Sequence, residues 1–213
     1  MIKNTLILFL FLISINIQAQ AYFTSKVLLL NGETIEGSTT LPKNKITETS
    51  IKVKYTGSKI ATSIKSDDIY QILYTINGNK YFFERNNMGI TTKPFKKQRT
   101  STYFGKEWFM VIFSNTLIKV YISTQSYYVN IKGELATHSY EGRNIVFGTS
   151  YLLKKTNKIA PTVISMHDLS NSKFRKWASL YFRKNPALVE RIKNKEFKKF
   201  QVDLLAQAYT SYQ

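Results

Sequence analysis

The apolar residues of this 213-residue chain change their spacing once, near Asp168, and that change divides any fold it can adopt into two kinds of structure. Upstream, the spacing belongs to strands. Ile51-Lys52-Val53-Lys54-Tyr55 alternates apolar and cationic residues, which buries one face of a strand and wets the other. Residues 127–132 alternate in the same way, whereas 108–113 are apolar throughout, as a central strand would be. Further strands are expected at 26–30, 33–37, 69–74, 80–84, 117–123, 136–140 and 145–152. Asn31-Gly32 and Asn77-Gly78 each separate two such runs, the pattern of a hairpin whose type I′ turn needs positive φ at both positions.

Downstream, Phe174, Trp177, Ala178 and Tyr181 fall at i, i+3, i+4 and i+7, one face of a helix that Ser170 or Ser172 can cap. Asn185-Pro186 predicts a second start, a cap residue followed by proline at the first helical position, with Leu188, Val189 and Ile192 behind it. A third helix is expected over about 196–212, turning Phe197, Phe200, Leu204, Ala208 and Tyr212 inward. Short helices of this kind must bury their stripes on one another and on the strands. The fold class is therefore α+β: an antiparallel β-barrel or sandwich body followed by a three-helix C-terminal segment. The expected organisation is a leader at 1–21, a β-rich part at 22–85, a basic loop or linker at 86–106, a second β-rich part at 107–165 and the helical segment at 166–213. No internal repeat or low-complexity segment stands out.

The N-terminus has the three-part form of a signal peptide. Lys3 supplies a positive charge, residues 6–15 are almost wholly apolar, and Ala19-Gln20-Ala21 offers small residues for cleavage after Ala19 or Ala21. The apolar run is shorter than the ~20 residues that span a bilayer. An exported protein, periplasmic or secreted, is the expectation.

The chain has no cysteine, which excludes disulfides, thiol catalysis and cysteine-held metal. Its 31 Lys and Arg against 13 Asp and Glu give a formal net charge of +18. That balance speaks to partners rather than to fold. For an exported chain the polyanions within reach are acidic polymers of the envelope and membrane surfaces; nucleic acid becomes the leading partner only if the chain stays in the cytoplasm.

A search for chemistry finds little. The two histidines, His138 and His167, sit in no metal-binding pattern. No G-x-S-x-G elbow exists, and Gly148-Thr149-Ser150 lies within an expected strand without a nominated base. Asp67-Asp68 is the densest acidic spot but occupies a turn, and Glu33 and Glu36 point to opposite faces of their strand. Neither G-x-G-x-x-G nor a P-loop is present, so no nucleotide cofactor is indicated. No catalytic residue and no metal ligand can be named. The positive signal is basic: Lys93, Lys96, Lys97 and Arg99, with Phe95 among them, are the candidate contacts to an anionic partner. From Ser170 onward the chain carries 10 Lys and Arg against 3 acids.

Two stretches carry a resemblance. The strand, Asn-Gly and Glu-Thr-Ile-Glu-Gly of residues 27–37 are similar to the opening hairpin of many uncharacterised secreted or periplasmic β-rich proteins of Bacteroidetes bacteria. The tail, from Phe174 through Asn185-Pro186, Leu188-Val189 and Phe197 to Tyr209, resembles a C-terminal helical module of such proteins, with Lys184-Asn185-Pro186 where an acidic-cysteine-proline element is common. The resemblance implies an envelope or extracellular setting and transfers no catalytic residue. The functional expectation is a non-enzymatic binding or structural module of the cell envelope. The alternative is a hydrolase of envelope polymers whose carboxylates are assembled by the fold.

Overall fold

A computed structural model describes residues 21–44, 48–92, 100–138, 140–142, 145–147 and 149–211. Ten strands form one antiparallel sheet: β1 (Phe23–Leu29), β2 (Thr34–Thr39), β3 (Ser50–Tyr55), β4 (Thr62–Lys65), β5 (Ile69–Ile76), β6 (Asn79–Thr92), β7 (Thr100–Ser114), β8 (Ile118–Ser123), β13 (Ser150–Lys155) and β14 (Thr162–Met166). Four short strands pair outside it, β9 (Ser126–Val129) with β10 (Leu135–His138) and β11 (Tyr140–Gly142) with β12 (Ile145–Phe147). Helices α1 (Asn171–Tyr181), α2 (Pro186–Lys193) and α3 (Val202–Thr210) complete the α+β layout. The large sheet runs β14-β13-β8-β7-β6-β5-β1-β2-β3-β4 and stays open, with β14 and β4 as its edges, so the body is not a closed barrel.

Strands from before and after residues 86–106 share this sheet, and the segment is mostly paired rather than loop. Asn86 and Asn87 pair Glu107 and Lys106, and after a register shift Gly89 to Thr92 pair Tyr103 to Thr100. The apolar stretch that follows continues the same ladder, Trp108 to Val111 pairing Arg85 to Phe82. Two further strands escaped the sequence pattern: β4 and β14 are short and mix threonine, serine and isoleucine without clear alternation.

The Asn77-Gly78 turn is as expected, with φ of 49° and 80°. At Asn31-Gly32 only the glycine has positive φ, at 88°. The turn is longer there: Leu29 N–H donates to Glu33 O at 2.8 Å, and Asn31 Oδ1 accepts from Glu33 N–H at 2.9 Å. The asparagine side chain, not its backbone, closes the loop.

One face of the sheet holds the main core. Over β7, β8, β13 and β14 the helices cover it, packing Phe174, Phe182, Leu188 and Leu205 on Ile118, Val120, Leu153 and Ile164. Over the β1–β6 half, Tyr127, Val129 and Leu135 from β9–β10 join Val27, Val53, Ile72 and Phe83. Ser170 Oγ caps α1 by accepting from Lys173 N–H, and Asn185 Oδ1 caps α2 by accepting from Leu188 N–H, with Pro186 at the first position. The third helix starts six residues later than expected. Lys195 takes a φ of 64°, a turn follows, and Val202, Leu205 and Ala206 become the inward residues. Phe197 is still buried, but Phe200 and Leu204 are exposed, the reverse of the expected register.

The structure also holds a repeat that did not stand out in the sequence, where Lys54, Thr56, Thr62 and Ile64 recur as Lys154, Thr156, Thr162 and Ile164. Hairpins β3–β4 and β13–β14 lie 100 residues apart, with the same pairings Lys52↔Ser63 and Val53↔Thr62, Leu152↔Val163 and Leu153↔Thr162. Thr56 and Thr156 each anchor the end of the first strand to the neighbouring hairpin: Thr56 hydroxyl and N–H donate to Glu36 O, Thr156 hydroxyl to Thr116 O and its N–H to Leu117 O. Read inward from either edge, the sheet presents this hairpin first, then β8–β7 on one side and β2–β1 on the other. Ile51, Val53 and Ile64 face the core, and so do Tyr151, Leu153 and Ile164.

Candidate functional site

The opposite face of the sheet carries a small second cluster. Phe109, Tyr121 and Leu152 are buried there, supported by Val111 and Val163, and the Phe109 and Tyr121 rings meet edge to face at 5.8 Å. Beside them the strands place polar residues at alternate positions that would otherwise be apolar: Glu84 and Asn86 on β6, Lys119 and Tyr121 on β8, Lys154 on β13. They line a cleft of about 270 Å³. The β7–β8 turn closes one end with Asn115 and Thr116, Thr156 stands behind them, and Tyr70 from β5 forms a rim, 47% exposed.

Glu84 organises the cleft. It is only 5% exposed, and a carboxylate this deep must find donors. Oε1 accepts from Lys119 Nζ at 2.6 Å and from Gln71 Nε2 at 3.3 Å, while Oε2 accepts from the Tyr121 hydroxyl at 2.8 Å. Burial first, and then the Glu84 charge, push the Tyr121 phenol far above its ordinary range, so it is a permanent donor. With both oxygens engaged, Glu84 is a structural counter-ion and not a free base.

Lys154 is different. Its Nζ donates to the neutral Asn86 Oδ1 at 2.8 Å, and no ion pair among the described residues includes it. Burial lowers its pKa; Glu84 pulls it back up and Lys119 adds to the lowering. Arg85, the next residue along β6, turns to the other face of the sheet beside Trp108 and is already committed there, its Nε donating to Asp67 Oδ1 at 3.0 Å with the guanidinium 5.7 Å from the Trp108 ring. That hydrogen bond is the main reason the Asp67 carboxyl sits below its usual range. Lys119 and Glu84 cancel, as do Arg85 and Asp67. Among the described residues of the cleft, Lys154 is the cation without an ion pair.

Of the residues singled out in the sequence, Lys93, Lys96, Lys97 and Arg99 lie outside the described residues, as do residues 1–20 and Gly148. Asp67 closes a short 3-10 turn and is paired with Arg85, and Glu36 pairs Lys26 at 2.6 Å. Ser150 is buried in β13, and the His167 ring lies 6.3 Å from that of Phe200. Among the described residues no group of three or more His, Asp or Glu converges as a metal site, and no helix is long and apolar enough to cross a membrane. The cleft residues come from four separated stretches of chain, so no local motif announces them. Alternation does not announce them either: Lys119 and Lys154 stand opposite the core-facing Ile118, Val120 and Leu153, where any wet-face lysine of a strand stands. Comparison with family models, with curated proteins and with solved structures finds no match to this chain.

Proposed function

We propose that this chain is an exported, non-enzymatic binding module of the cell envelope that holds an anionic polymer, with the cleft on the far face of the sheet as its specific contact. The observation that carries this reading is Lys154, a half-buried ammonium with a neutral partner and a donor-rich cleft in front of it. An anion there would restore the stabilisation that burial removes. The high net positive charge and the basic C-terminal segment support the same partner class by raising its local concentration. The leader-like N-terminus and the resemblance to secreted β-rich proteins support the envelope setting. A hydrolase would need a second carboxylate. Among the described residues Glu84 is the single carboxylate lining the cleft, and its oxygens are occupied.

The test is binding of a fluorescently labelled heparin, as a model polyanion, across a salt series. Affinity should fall steeply with salt. Lys154→Met should weaken binding about tenfold, equivalent to ~1.4 kcal/mol, whereas Lys132→Met, at the exposed β9–β10 tip, should change it less than twofold. Absence of binding at low salt, or equal effects of the two substitutions, sinks the reading. N-terminal sequencing of the native protein tests export separately; a chain beginning at Met1 in the cytosol removes the envelope setting.

A further inference from the structure

The size and charge of the cleft narrow the ligand further, on the footing that the chain binds an anionic polymer. A volume of about 270 Å³ lies just below the range of sites for drug-sized ligands. A single pyranose ring with one acidic substituent fits a site of that size.

The charge count sets the valence. Lys119 is consumed by Glu84 at 2.6 Å and Arg85 by Asp67 at 3.0 Å. Lys154 remains, so the cleft balances one negative charge. A dianionic phosphate ester would leave its second charge without a counter-cation among the described residues of the cleft. A carboxylate or a sulfate ester brings only one. The neutral lining suits a polyol. Asn115 Oδ1 is used by the Leu117 and Ile118 N–H groups, which leaves its amide N–H₂ to donate, and Thr116 adds a hydroxyl. Tyr70 at the rim offers a flat ring of the kind on which sugar C–H faces stack.

The repeat supplies a comparison within the same molecule. Lys54 is the counterpart of Lys154 in the other hairpin, and its ammonium sits 4.0 Å over the Tyr22 ring. There an aromatic face covers the cation. At Lys154 the hydrogen-bond partner is a neutral amide, with the cleft open beside it.

We propose that the cleft binds one monoanionic sugar unit of an acidic polysaccharide, with Lys154 on the acidic group and Tyr70 against the ring.

The probes are sodium glucuronate, glucose 6-sulfate, glucose, acetate and sulfate, titrated into the purified protein by ligand-observed NMR and calorimetry. Glucuronate and glucose 6-sulfate distinguish the two monoanionic sources, and saturation by either supports the proposal. Glucose, acetate and sulfate should each bind at least tenfold more weakly than the better sugar. Lys154→Met should weaken that sugar at least tenfold and Tyr70→Ala about fivefold, while Lys54→Met changes it less than twofold; melting curves check that each variant is folded. If acetate or sulfate competes as well as the acidic sugars, the sugar assignment is wrong while anion binding stands. If neither acidic sugar binds although heparin does, the assignment is also wrong and the polymer is held elsewhere. If heparin fails too, the functional reading falls with it.

Discussion

Replacing Glu84 tests whether the buried network, rather than apolar packing alone, sets the shape of the cleft. Glu84→Leu keeps most of the side-chain volume and removes three hydrogen bonds to the carboxylate, a long one from Gln71 at 3.3 Å and two short charge-assisted ones from Lys119 at 2.6 Å and Tyr121 at 2.8 Å. Each such bond contributes about 1.5–3 kcal/mol net. Lys119 keeps 32% of its side-chain exposure and can turn toward water, which lowers its share. Tyr121 is fully buried, and its hydroxyl loses its anionic acceptor. The added apolar area of leucine offsets about 1 kcal/mol. The balance is a loss of about 2–4 kcal/mol. Urea unfolding followed by the fluorescence of Trp108 and Trp177 reads this directly. With an m-value of ~2 kcal/mol/M, the midpoint should fall by about 1–2 M. Tyr121→Phe alone should cost about 1–2 kcal/mol, and the double variant should show a coupling of at least ~1 kcal/mol, because both substitutions break the same bond. A Glu84→Leu protein within 0.5 kcal/mol of the parent, on the ~±0.3–0.5 kcal/mol scale that separates independent sites, would refute the reasoning. So would a strictly additive cycle.

Three further outcomes follow from other parts of the fold. Asn44 imitates a strand neighbour for β7, donating to Trp108 O at 2.8 Å and Thr124 O at 2.9 Å and accepting from Trp108 N–H at 2.8 Å; Asn44→Ala should cost about 2–3 kcal/mol in the same unfolding assay. At Gly37 a Cβ would come within 2.0 Å of Lys54 O, so Gly37→Ala must part β2 from β3 and cost about 2–3 kcal/mol, while Gly57→Ala, with open space but a φ of 81°, should cost about 1 kcal/mol by thermal melting. Burial raises the Glu107 carboxyl above 4.5, against the pull of its Ser123 hydrogen bond and Arg85. Its folded pKa exceeds the unfolded one, so its stabilising share is present below the unfolded value and lost as pH rises through the folded value. Glu107→Gln should therefore gain stability relative to the parent as pH is raised from about 4 to 7; a constant difference over that range would contradict this.

The α+β class, the hairpin at Asn77-Gly78 and the caps at Ser170 and Asn185 were legible because each depends on a few adjacent residues. Alternation reported local burial at Ile51, Val53 and Tyr127 but failed at Ile131, which is exposed in the turn after β9, and the cap residues reported local hydrogen bonding. Sheet closure was not legible. Whether ten strands curl into a barrel depends on their accumulated twist and register, and no single strand reports it. The third helix was misplaced because Phe197 and Phe200 fit its period, although a turn at Lys195 and the Lys198–Gln201 contacts occupy those residues. Glu84, Lys119 and Lys154 meet only through strand register, Lys154 lying opposite Lys119 across β13 and β8. Nothing in their neighbours along the chain marks them.

The doubling of the β3–β4 hairpin has a practical result. Lysines 54 and 154 hold the same place in the two hairpins, although β13–β14 carries a register shift that β3–β4 lacks, and one is covered by an aromatic ring while the other borders the open cleft. Any signal that arises from the shared scaffold, such as a general response to salt, temperature or bulk acidity, must register at both. Whatever registers at the second alone belongs to its pocket, so this molecule brings its own blank to every titration.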